Sequence, residues 1–187
     1  MKKKNKNCES RNTEAANRHS SIALFKTCLV FAGVVFIFNL IEWLLLKPAH
    51  LSPYQNLTAQ TVAHLINLSG INTTLRGTHI FFEGVHWEIV TECTALQAMY
   101  VFIAFISSYP SSIKAKLIGV FSGVPFLFAA NVIRLFVLAW AHHFSPQYAE
   151  IVHDYIWQIA FLFLLILMWI FWIDMVVKRE EISAIPA

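Results

Sequence analysis

Charge is scarce in this chain: only 13% of its 187 residues are Asp, Glu, Lys or Arg, where a soluble domain carries about 25%. With 57% hydrophobic residues, sixteen Phe and six Trp, and a mean hydropathy of +0.58, that scarcity excludes an ordinary water-soluble fold. Cysteine is scarce too. Cys8, Cys28 and Cys93 lie far apart, with no C-x-x-C and no metal-type spacing, which argues against a disulfide framework, a paired-thiol oxidase or a zinc site. No ligand cluster for a metal or an organic cofactor stands out, and none is expected. The net charge of +3 hints at nucleic acid, but its location removes the hint. Lys2, Lys3, Lys4, Lys6, Arg11 and Arg18 all precede the first apolar stretch, the pattern of a cytoplasmic anchor.

What is present is a series of apolar runs. Residues 22–46 exceed the roughly 20 needed to span a bilayer. The run is too long for a secretory signal and is followed by no small-residue cleavage site, so it is expected to be a retained transmembrane helix. Further spans are expected at 94–109, 117–141 and 155–177. The expected fold is therefore an all-α polytopic membrane protein of about four transmembrane helices, folded as one domain over residues 1–187. Residues 1–21 form a cytoplasmic tail, read as disordered. Residues 47–92 form an extracytoplasmic insert. Within it, Pro53 opens an amphipathic helix that stops at Gly70. The β-favouring runs 72–76, 79–83 and 85–90, punctuated by Gly77 and Gly84, then predict a small hairpin or three-stranded ribbon.

Orientation follows from the cations. Eleven of the fourteen Lys and Arg residues fall on one side of this scheme and only Lys47 and Arg76 on the other, with Arg134 inside the third span. Both termini are then cytoplasmic, and the insert and the 142–154 loop share the outer side.

Three polar residues interrupt the apolar ends on that side. Cys93 precedes the second span, where a helix N-terminus favours a thiolate, although Glu92 opposes it. Arg134 cannot shed its proton, so a buried position demands an anion, and Asn131 shares its helical face. His153 stands at the entry to the fourth span, where an imidazole serves as a proton shuttle. Each has a plainer reading: a small boundary residue, a cation reaching back to the headgroups, one of several loop histidines alongside His142 and His143. Together they divide the labour of acyl transfer. Cys93 attacks a peptide carbonyl, Arg134 stabilises the oxyanion, and His153 carries the proton to the leaving amine. Rival readings are a small transporter or proton-relay protein using Arg134, Asn131 and His153 as a polar path, and a non-catalytic membrane assembly factor. The apolar inner halves of the second and third spans argue against the path.

The stretches Glu92-Cys93-Thr94-Ala95-Leu96-Gln97, Asn131-Val132-Ile133-Arg134-Leu135 and His153-Asp154-Tyr155, in this order at the ends of successive spans, resemble the exosortase/archaeosortase transmembrane transpeptidases. The β-rich run from Arg76 to Val90 is similar to that family's lead-in to its cysteine, and the resemblance covers about residues 72–175. Ala95 departs from it where a glycine is common, and no glycine follows His153 within a turn. The compact length is similar to the small exosortase H type. The resemblance implies a membrane-embedded cysteine protease or transpeptidase of the cytoplasmic membrane, acting on its extracytoplasmic face without a cofactor. Cys93, Arg134 and His153 would be catalytic; Asn131, Thr94, Gln97 and Asp154 would support them or bind substrate. The implied partners are the lipid bilayer and exported proteins bearing a C-terminal motif, a transmembrane helix and a basic cluster.

Overall fold

In the computed structural model, residues 2–45, 48–144 and 157–183 are described. Helix α1 runs from Lys2 to Leu45. The segment expected to be a disordered tail instead continues this helix backward. Extending an existing helix adds one hydrogen bond per residue fixed, without a new nucleus, so a stable apolar seed carries a polar extension with it. Helix α1 packs against α3 (Leu96–Ser108), with Phe38 stacked on Tyr100 at 4.8 Å.

Helix α2 spans Pro48–Leu68, so Pro53 lies inside the helix and does not open it. Pro48 is the residue that suits the first position, where the missing N–H would be unpaired anyway. Its end is the one the sequence announces. Gly70 takes φ 93°, and the N–H groups of Gly70 and Ile71 reach back to the carbonyls of Asn67 and Ile66, closing a Schellman cap. Strands β1 (Thr73–Arg76), β2 (His79–Phe82) and β3 (Val85–Glu88) follow as an antiparallel sheet of order β1-β2-β3. The Glu83–Gly84 turn has φ 49° and 80°, the two left-handed residues of a type I′ hairpin.

After α3 come α4 (Ile113–Phe144) and α5 (Trp157–Trp172). A π-helical turn at Ile173–Val177 then leads into α6 (Lys178–Ser183). Three helical stretches are long and apolar enough to cross a membrane: Leu24–Leu44, Ile113–Phe144 and Ile159–Glu180. The second span, expected at 94–109, is the 13-residue α3, roughly 20 Å long at 1.5 Å per residue and too short by itself. It is flanked by α1, α4 and the α5 region and buries Met99, Phe102, Ala104 and Ile106. Phe25, Trp43, Phe121, Ile159 and Phe171 are among the large side chains left exposed on the longer helices; apolar surface on that scale belongs in lipid. The chain is a membrane protein.

Two cores meet at Phe128. One joins α2, the sheet and the last turns of α4 through Val62, Ile66, Ile80, Phe82, Val132 and Leu135. The other joins α3, α4 and α5 through Phe102, Ile106, Leu127, Leu165 and Trp172.

Candidate active site

Cys93 lies where the sheet hands over to α3. Ile89 N–H bonds the Thr78 carbonyl at 2.9 Å, the last rung of the ladder, and Val90 N–H turns back to Glu88 O at 3.1 Å. A 3₁₀ turn at Thr91–Thr94 follows, held by Cys93 N–H on Val90 O at 3.0 Å and Thr94 Oγ1 on Thr91 O at 2.6 Å. Ala95 then adopts φ 56°, ψ 17° before α3 begins at Leu96. A side chain in that left-handed region costs about 1–2 kcal/mol, so a glycine would suit this position better. Cys93 is therefore not the first residue of α3; a reversal separates it from the helix.

Two helices clamp this turn. From α2, Tyr54 Oη donates to the Thr94 carbonyl at 3.1 Å, and Gln55 Nε2 donates to Thr91 Oγ1 at 3.2 Å. From α4, the fully buried Asn131 donates Nδ2–H to the Cys93 carbonyl at 2.7 Å. Arg134, one turn further along α4, lies close enough for its charge to act on the Cys93 thiol. Among the described residues, Asn131 Oδ1 and Arg134 Nε are buried without a hydrogen-bond partner. Such a group costs about 1–3 kcal/mol, a debt that an arriving acceptor or donor relieves.

The thiol departs from expectation. Burial pushes Cys93 above its ordinary value; the backbone hydrogen bond at Val90 and the Arg134 cation pull it down, and Glu92 pushes it up, without reversing the burial effect. A helix N-terminus next to the sulfur would favour the thiolate, but the reversal at Ala95 separates the two.

The structure thus brings Cys93, Thr94, Asn131 and Arg134 together. Thr94 is fully buried and fixes the turn. Gln97 is an exposed residue of α3, and no hydrogen bond among the described residues ties it to Cys93. His153 and Asp154 lie outside the described residues. His142 and His143, expected in a loop, form the last turn of α4. His143 Nδ1 sits 2.7 and 2.8 Å from the two Glu83 carboxylate oxygens, and His142 meets Phe82 and Trp87 edge-on. These contacts fasten the β2–β3 hairpin to α4. Tyr54 and Gln55 escaped the sequence reading; their signal was their place on one amphipathic helix, which does not reveal a partner about forty residues away. No metal-type cluster of His, Cys, Asp and Glu occurs among the described residues.

No curated protein and no solved structure matches the chain. A family model does: the one described as transmembrane exosortase matches residues 19–176.

Proposed function

Because the chain belongs to the transmembrane exosortase family, we propose that it is a membrane-embedded cysteine transpeptidase that cleaves the C-terminal sorting signals of exported proteins. The reading places it in the cytoplasmic membrane with both termini inside and Cys93 at the extracytoplasmic face, as the distribution of cations favours. The observation that carries it is the convergence at Cys93: a thiol within the field of an arginine, on a turn fastened by a fully buried asparagine.

The chemistry follows from those parts. A neutral resting thiol needs a base when substrate arrives, and His153 takes the Sγ proton. The thiolate attacks the carbonyl carbon of the scissile peptide bond. Negative charge moves to the carbonyl oxygen, where the Arg134 guanidinium, short of an acceptor at Nε, stabilises it. Collapse breaks the C–N bond, and the imidazolium of His153 returns the proton to the departing amine, which leaves with the membrane helix. The exported protein remains as a thioester on Cys93 Sγ. An amine acceptor then forms a new amide, or water releases the acid, and either restores the thiol. A through-membrane polar path is less well supported. Among the described residues, the fully buried polar side chains are Thr58, Thr94 and Asn131, all on the elements that build this one site.

The test compares membrane proteins of cells carrying the chain with those carrying Cys93→Ala. Exported precursors that keep their C-terminal helix should accumulate in the variant, with their processed forms at least 100-fold depleted. Equal processing in both strains would refute the assignment.

A further inference from the structure

The two edges of the small sheet are treated differently. At the β1 edge, Thr73 N–H points outward and is taken by Asn67 Oδ1 of α2 at 2.8 Å, while Thr73 Oγ1 bonds the Ala63 carbonyl at 3.3 Å. Helix α2 packs along that edge, although Leu75, which the same register turns outward, has no backbone partner among the described residues. At the β3 edge the register decides which groups face out. A two-residue hairpin turn makes Phe82 and Val85 a hydrogen-bonded pair, and the bonding alternates from there. Ile80↔Trp87 is then the next bonded pair, and Ile89 on Thr78 the one after. His86 and Glu88 consequently turn their backbone groups away from β2. The Glu88 carbonyl is occupied by Val90 N–H. That leaves His86 N–H, His86 C=O and Glu88 N–H facing outward with no backbone partner among the described residues.

The His86 side chain leaves this edge open. Its ring stacks on Phe81 at 4.7 Å and 7°, and its Nε2 lies 2.9 Å from His79 Nδ1, so it lies over β2. Two residues beyond Glu88 the chain turns into Thr91–Thr94 and delivers Cys93. An unpaired edge invites another strand, and this one leads into the nucleophile.

We propose that the extended segment of the exported substrate, just before its membrane helix, adds to β3 as a parallel fourth strand and is guided by that pairing to Cys93. The proposal rests on the sorting reading above. Direction follows from topology: β3 runs toward α3 and the membrane, and a substrate anchored by a C-terminal helix enters the membrane in the same sense. Strand addition recognises backbone and leaves side-chain choice to flanking contacts, which suits an enzyme that processes several precursors. Two residues of open edge give weak pairing, and weak pairing lets product leave.

The probe is a precursor that accumulates in the Cys93→Ala cells. His86→Pro removes one outward N–H and spares the ladder to β2, since proline is tolerated on an edge strand; His86→Ala keeps the N–H and removes the ring. Processing should fall at least tenfold in His86→Pro and stay within about twofold in His86→Ala. Alkylation of Cys93 by iodoacetamide, which needs no strand, should be equal in both and in the parent. Processing at the parental rate in His86→Pro would overturn this proposal alone, and so would an edge-dependent dimer of the chain with processing intact. If His86→Pro also alters alkylation, Glu88→Cys in a chain lacking Cys8 and Cys28 replaces it. A disulfide to a cysteine placed in the precursor's segment then supports the added strand, and its absence overturns it. Failure of any precursor to accumulate with Cys93→Ala removes the sorting reading and this proposal together.

Discussion

A neutral thiol is a poor nucleophile, and burial keeps the Cys93 thiol above its ordinary range. Of the two influences that hold it down, the Arg134 cation is the one a side-chain substitution removes. In a chain with Cys8→Ser and Cys28→Ser, the rate of Cys93 alkylation should rise with pH to a midpoint above the roughly 8.5 of a free thiol. Arg134→Ala should move that midpoint higher still, because the thiolate loses its nearest stabilising charge, while Arg134→Lys should restore part of the difference. A midpoint that stays put in Arg134→Ala would mean the cation does not serve the sulfur. Cys93, Asn131 and Arg134 were legible in the sequence because polar groups are costly in apolar surroundings and stand out there. The titration direction was not legible: it depends on the left-handed Ala95 and on burial by α2 and α4, which no local pattern reports.

Close packing of helices explains two glycines of α4. A methyl on Gly123 would lie 2.2 Å from Cε1 of Phe102, and one on Gly119 would lie 2.5 Å from Nε1 of Trp172. Both neighbours are buried, and Trp172 is pinned by its Nε1–H on the Ala115 carbonyl at 2.9 Å. Gly123→Ala should therefore destabilise the detergent-solubilised protein by about 1–3 kcal/mol, read as a lower thermal midpoint. Gly33→Ala on α1, where nothing lies within 4 Å, should not lower it, since alanine favours a helix. Similar losses in both variants would contradict the packing account. Turn chemistry made the ribbon and the α2 stop readable, because Gly70, Gly77 and Gly84 all need positive φ. Helix starts were harder to read. Pro48 and Pro53 both qualify locally as a first helical residue, so the local sequence does not choose between them. The shortness of α3 was visible in its apolar run; its place among longer helices was not.

At the scale of the whole molecule, a helical membrane body carries the sheet and helix α2, and the Cys93 turn lies where the two cores join. The bundle holds α3 in place, the sheet leads the chain into the turn, and α2 and α4 clamp it from two sides. This division suits the proposed reaction on a protein that is itself anchored in the bilayer. The most direct test is the mass of Cys93 during turnover. With an accumulated precursor supplied to the purified protein and the reaction quenched in acid, the account predicts a covalent adduct on the Cys93 peptide. Its mass should equal the exported portion of the precursor less water, and neutral hydroxylamine should release it. A processed product with Cys93 unmodified throughout, or an adduct on another residue, would contradict the account.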